Sequence, residues 1–271
     1  MQLQQNLLRN LDTAVCSMTI FTCEDTFESM MTCIYDAWAS RLGHANVRLQ
    51  TEPVRQQELF CQYVRIEADT EKVQKVVRSV QRKISYEAYR QMFLAAMSFE
   101  EDKLDAIYRF LILGFTCGRE VTKMLSQKEV VRVMELSRHT QNEAHYFQEF
   151  ARFTAVNEQV YVAHIEPKCN IVSITAQHFA DRMPSEHWMM IDDNRRIAAV
   201  HPKDQGFYVT ELSEPELERL KKTEEQTDLY TDLWKEFFRS IGIEARKNDR
   251  CQRNLFPLWY RKHVTEFMEN G

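Results

Sequence analysis

The sequence predicts an α+β fold: a helical N-terminal half packed with a mostly antiparallel sheet, then a C-terminal helix and a basic tail segment. Three observations carry that prediction. Apolar residues recur at helical spacing through most of residues 24–150. Five short alternating or apolar runs follow between about 150 and 212, separated by turn-forming residues. The remainder, 213–271, opens with the amphipathic "SEPELERLKKTEEQTDLYTDLWKEFFRSIG" and closes on a cluster of cations. With only 6 glycines and 6 prolines there is little material for linkers, so a single compact domain over 1–271 is expected.

Taken in order, "SMTIFTC" (17–23) alternates β-branched and apolar residues and reads as a strand. "EDTFESMMTCIYDAWASRLG" follows as a helix, with Asp25 as cap, Glu28 three residues on, and Gly43 as the stop. Residues 70–84 and 85–98 carry the 3.6-residue period, with Ser85 capping the second helix. "EDKLDAIYRFLILGFTCG" is apolar around most of its circumference and so predicts a central buried helix. "QKEVVRVMELSRHTQNEAHYFQEF" (127–150) is a long amphipathic one. Beyond it, "FARFTAV", "QVYVAHIE", "HWMMIDD", "RRIAAVH" and "GFYVTEL" read as strands, with the helical "IVSITAQHFADRM" inserted and Asp193-Asn194 as a hairpin turn.

Composition narrows the function classes. The 7 cysteines are odd in number and contain no C-x-x-C pair, which excludes the usual zinc-ribbon and iron–sulfur spacings and suits free thiols in a reducing compartment. No Walker A loop, G-x-G-x-x-G or G-x-S-x-G elbow is present, so no nucleotide cofactor is expected. No stretch approaches the roughly 20 apolar residues of a membrane span, and no basic-then-apolar leader opens the chain. The expectation is a cytoplasmic protein without a membrane association.

Three constellations stand out. Arg138, Asn142, His145, Glu149 and Arg152 are spaced to form one polar stripe along a helix, either a solvated face or a ridge that meets phosphates, with His145 and Glu143 as proton-handling groups. His164 and Glu166 share a strand face, but without H-x-x-x-H or H-E-x-x-H spacing no metal is assigned. The third is the strongest. From Arg246 to Lys262 the chain carries Arg246, Lys247, Arg250, Arg253, Arg261 and Lys262 against Asp249 alone, in a protein whose net charge is −5. A local positive field of that kind attracts polyanions whatever the overall charge. Asn248, Gln252 and Asn254 add hydrogen-bonding groups, and Phe256, Trp259 and Tyr260 are threaded through the window, Trp259 expected in the core and Tyr260 as the more exposed ring.

Several of these segments together, "TFESMMTCIYDAW", "NEAHYFQEFARF", "YVAHIEPKCNIVSITAQHFADRM", "HWMMIDDNRR" and "EARKNDRCQRNLFPLWYRKHVTEF", resemble one family. It is the bacterial DNA-metabolism or repair proteins encoded beside a radical-SAM protein, some of which are fused to a uracil-DNA glycosylase domain. On its pattern Glu143, His145, Phe150, Arg152 and Phe153 match an E-A-H…F-x-R-F segment, and His178, Phe179 and Arg182 match H-F-x-x-R. Arg246, Lys247, Asn248, Arg250 and Gln252 match R-K-N-x-R-x-Q, with Pro257 and Tyr260 in the P-x-x-Y that follows. The chain departs from the pattern at Asn142 and Tyr146, where basic residues would flank Glu143, and at Ser29, which replaces a glycine. No glycosylase domain is expected in it.

The resemblance implies a DNA-binding accessory that presents nucleic acid, single-stranded or damaged, to a radical-SAM partner. The residues that meet the nucleic acid would be Arg138, Arg152, Arg182, Arg246, Lys247, Asn248, Arg250, Gln252, Arg253 and Tyr260. The alternatives are a metal-free hydrolytic DNA-processing enzyme using Glu143, His145 and His178 as acid and base, and a protein-interaction scaffold.

Overall fold

The computed structural model describes residues 18–156, 160–216 and 256–264. The chain is mixed α/β with two sheets, and its backbone divides into two compact units, 1–140 and 141–271. The C-terminal helix expected after Ser213 is described only in its first residues, 214–216, and the basic run Arg246, Lys247, Asn248, Arg250, Gln252 and Arg253 lies outside the described residues.

The first unit is built on three parallel strands in the order β2-β1-β3, namely β1 (Met18–Cys23), β2 (Val47–Thr51) and β3 (Cys61–Arg65). Only β1 was legible in sequence, so the expectation of a helical half with a single strand is corrected. β2 and β3 are short, and β3 alternates partly buried with exposed positions, so neither shows a long apolar run. Helix α1 (Phe27–Ala39) follows β1, capped by Thr26, whose hydroxyl accepts from Ser29 N at 3.2 Å, not by Asp25. Ser29 is itself buried and receives the Thr26 hydroxyl proton at 2.8 Å. Helices α2 (Thr70–Lys83), α3 (Tyr86–Ala96) and α4 (Lys103–Cys117) complete this unit's layer, Ser85 capping α3 as its spacing predicts. α4 buries Leu104, Ile107, Tyr108, Phe110 and Leu111, in keeping with its nearly all-round apolar surface.

Helix α5 (Lys128–Phe150) runs from the first unit into the second. The second unit's sheet has the order β4-β5-β6-β7-β8: β4 (Thr154–Val156), β5 (Val160–Ile165), β6 (Trp188–Asp192), β7 (Ile197–His201) and β8 (Tyr208–Glu211). The other pairings are antiparallel, but β5 and β6 run parallel because α6 (Val172–Arg182) makes the crossover between them. One face of the sheet packs Ile165, Trp188, Met190 and Ala199 with Ala144, Phe147, Ala176 and Phe179; the other holds Val162, Ile191 and Ala198. The turn between β6 and β7 is longer than the predicted two residues. It spans 193–196, with Arg196 at φ 56°, and is fastened by the buried Asp192, whose Oδ1 accepts from Asn194 N at 3.0 Å and Arg195 N at 3.1 Å.

Among the described residues no helix is long and apolar enough to cross a membrane. Cys23, Cys33, Cys61 and Cys117 are free thiols.

Candidate functional site

The residues expected to carry acid–base chemistry do not converge. Glu143 and His145 are two apart on α5, and residues at that spacing point to different sides of a helix. Glu143 is buried, and its two oxygens accept from Lys168 N at 2.9 Å and Cys169 N at 2.7 Å. His145 faces outward with its side chain 69% exposed and pairs with Glu149 at 3.1 Å. His178 is half-buried on α6, its ring edge-on to the neighbouring Phe179 at 5.2 Å. In the structure Glu143 fastens the loop after β5, and His145 lies on a solvated face. Arg138, Asn142 and Glu149 are also exposed on α5. Arg152, just past the helix end, donates to Glu149 O at 3.2 Å and Ala151 O at 3.4 Å, satisfying carbonyls that a helix terminus leaves without intrahelical partners. Arg182 is exposed in the last turn of α6.

What does converge is the loop after β5, the turn after β6 and the segment 256–264. The loop 166–169 is held from two sides. Glu143 takes its backbone N–H groups, while Asn194 Nδ2 and Arg195 Nη1 donate to Pro167 O at 3.0 and 3.1 Å, and Arg195 Nη2 donates to Lys168 O. Arg195 is aimed by the Asp192 carboxylate at 2.9 Å. Burial pushes the Asp192 carboxyl above its ordinary range, with the Arg195 guanidinium opposing.

The segment 256–264 docks through rings. Phe256 stacks on Phe150 at 3.9 Å, and Tyr260 stacks on Tyr146 at 4.9 Å and meets Phe147 edge-on at 5.2 Å. Arg261 locks the short 3₁₀ turn Leu258–Arg261 by donating to Phe256 O at 2.9 and 3.1 Å. Burial, helped by the Glu143 charge, pushes the Tyr260 hydroxyl up to about 12. The two rings of this turn are thus reversed from expectation. Tyr260 packs against the core cluster, whereas Trp259 is 40% exposed with the Lys168 ammonium 5.2 Å from its ring centre. The physical reason is register: in a turn of about three residues, neighbours cannot both face inward, and the helix α5 aromatics capture Tyr260.

These elements bring together four side chains from distant parts of the sequence. The parallel register pairs Ile165 with Asp192, so the carboxyl ends of β5 and β6 carry Glu166 and Asp193 side by side, and His164 shares the Glu166 face of its strand. His164 Nδ1 lies 3.0 Å from both Asp193 oxygens. His263 Nε2 arrives from the docked segment, 3.1 Å from Glu166 Oε1 and 3.9 Å from Asp193 Oδ2. Lys262 also pairs with Glu166 Oε1. Burial pushes the Glu166 carboxyl up, but the Lys262 ammonium and the His263 imidazole outweigh it and hold the group below the usual carboxylate range. His164, Glu166, Tyr260 and His263, with the rings of Phe147 and Phe150, line a void of about 10 Å³, room for one water molecule or small ion and far too little for a nucleobase.

The sequence pointed to His164 and Glu166 as a same-face pair, but Asp193 reads there as a turn residue and His263 as one member of a basic stretch. The inserted helix was legible, but not its consequence, that as a crossover it makes β5 and β6 parallel. The carboxyl edge of a parallel pair is where open α/β sheets place their sites.

Comparison with curated proteins finds no match. The sequence pattern described as a domain of unknown function, DUF4130, matches residues 101–266, from α4 through the docked segment that carries His263. That is more than half of the chain, which therefore belongs to the DUF4130 family.

Proposed function

We propose that the chain is a nucleic-acid-binding protein of DNA metabolism that presents DNA to a radical-SAM partner instead of carrying out the chemistry alone. The observation that carries this reading is the Trp259 indole, left 40% exposed beside the Lys168 ammonium at 5.2 Å. An exposed ring beside a cation is the arrangement on which an unpaired base stacks while its phosphates meet positive charge. The sequence adds Arg246, Lys247, Arg250 and Arg253 only a few residues before the turn. The partner follows from the resemblance of the motif segments to proteins encoded beside a radical-SAM protein.

The test is fluorescent-oligonucleotide binding against salt, single- and double-stranded, for wild type and an Arg246/Lys247/Arg250/Arg253 alanine variant. Removing one cation that pairs with a phosphate should lower the log–log salt slope by about 0.7–0.9. Equal affinity and equal slope in the two proteins overturn the reading. Pull-down of the radical-SAM protein with tagged wild-type chain tests the partnership, and no retention above a tag-only control removes it.

A further inference from the structure

We propose that Glu166, Asp193 and His263 form a binding site for a divalent first-row transition cation. Their ligand atoms lie within 4.8 Å of one another, with Glu166 Oε1 and His263 Nε2 3.1 Å apart and His263 Nε2 and Asp193 Oδ2 3.9 Å apart. A cation bound at about 2.0–2.2 Å from each needs neighbouring ligand atoms roughly 3–3.5 Å apart, so closing the widest spacing takes up to about 2 Å, shared between the side chains. Imidazole with carboxylate suits zinc, iron or manganese rather than magnesium or calcium, which prefer oxygen alone.

The surroundings are those that a metal site uses. Ligating carboxylates are commonly oriented by a further hydrogen bond, and Asp193 has one from His164 Nδ1 at 3.0 Å. All four side chains are mostly but not wholly withdrawn from solvent, between 17% and 26% exposed, which strengthens charge attraction while leaving an entry path. The adjoining void of about 10 Å³ accepts an ion or its one water. Three protein ligands leave coordination positions open. Lys262, on Glu166 Oε1, acts as a competing cation: its ammonium neutralises the carboxylate that the metal needs.

That competition gives the site a signature that a plain hydrogen-bond network lacks. The experiment titrates the full chain, stripped of metal with EDTA and dialysed, with cobalt(II) as probe, following the visible d–d bands. Wild type should bind one equivalent with no thiolate charge-transfer band, and His263→Ala and Asp193→Asn should each abolish the spectrum. His164→Ala should weaken binding about 10–100-fold by freeing Asp193. Lys262→Ala should tighten it several-fold, and His145→Ala, on the exposed face of α5, should leave it unchanged. Circular dichroism in EDTA establishes that each variant is folded, and Lys262→Ala, altering an exposed side chain, keeps the test open where another variant fails to fold. A thiolate-dominated spectrum, binding that survives Asp193→Asn, or weaker binding in Lys262→Ala overturns the proposal. The titration contains no nucleic acid, so its failure leaves the DNA reading standing. Conversely, Lys262→Ala is expected to weaken oligonucleotide binding in EDTA while it strengthens cobalt binding, so the two readings part on one variant.

Discussion

Glu143 offers the sharpest test of the distinction between a residue that builds the fold and one that does chemistry. Its carboxylate accepts from Cys169 N at 2.7 Å, a buried hydrogen bond, and from Lys168 N at 2.9 Å, a partly buried one. A hydrogen bond to a charged partner contributes about 1.5–3 kcal/mol, and a buried donor left unpaired costs about 1–3 kcal/mol. Glu143→Ala removes both acceptors. The Cys169 group should lose near the upper figure and the Lys168 group, which water can reach, near the lower, for a total of about 3–5 kcal/mol. At roughly 2–4 °C per kcal/mol for a chain of this size, melting should fall by about 6–20 °C. Glu143→Gln keeps one oxygen for one N–H but turns an amide donor toward the other, so about half the loss is expected. The assay is thermal unfolding by circular dichroism of wild type and both variants, with oligonucleotide binding measured on the folded protein. Unchanged melting of Glu143→Gln together with abolished binding or processing would refute this assignment and return Glu143 to the functional groups.

Three further outcomes are expected. Tyr260→Ala should cost about 2–3 kcal/mol by unpacking Tyr146 and Phe147, whereas Trp259→Ala should cost under about 1 kcal/mol of stability yet remove about 1–3 kcal/mol of single-strand affinity; denaturant unfolding and binding on the same variants check both. Arg132 holds Asp102 through hydrogen bonds of 2.7 and 2.8 Å, and that pairing, against some burial, lowers the Asp102 carboxyl below its usual range. The contribution is therefore present above the unfolded value near 3.9 and is lost as pH falls through the lower folded one. Both side chains are substantially solvated, so Arg132→Ala should cost only about 0.5–1 kcal/mol at neutral pH and nothing at the acid end, read from melting temperature against pH. Lys103, 3% exposed, donates to Ser98 O at 2.6 Å and pairs with Asp25 at 2.5 Å; Lys103→Met should lose about 1–3 kcal/mol by orphaning the carbonyl, and unchanged denaturant unfolding would contradict that.

The elements that announced themselves in sequence are those whose burial follows a clean period. α4 is apolar nearly all round, α3 has Ser85 at its cap, and β5 to β8 alternate or run apolar between turns. β2 and β3 escaped because "VRLQT" and "CQYVR" are half polar and offer no apolar run to read. Their strand character comes from pairing with β1, which is a property of the sheet and not of either segment. The direction of β5 against β6 was hidden for a similar reason. Alternation reveals which face is buried and says nothing of whether a neighbour runs parallel, which here depends on α6 occupying the connection.

The same reasoning explains why several of the described motif residues support the fold while the cluster lies partly outside them. Phe150, Phe153, Phe179 and Tyr260 pack rings, Glu143 and Arg195 tie the loop at 166–169, and Arg152 answers carbonyls at a helix end. A buried ring or a buried polar atom tolerates few replacements. Their joint effect is positional. The loop tie sets Glu166, the Asp192 turn sets Asp193, and the ring docking of 256–264 delivers His263, so three separately anchored elements meet at the carboxyl ends of β5 and β6. A side chain held from one anchor drifts with it; charges held from three keep a spacing of 3.1–3.9 Å only while all three anchors hold. Mutations at Phe150 or Arg195 should therefore disturb the cluster without touching it.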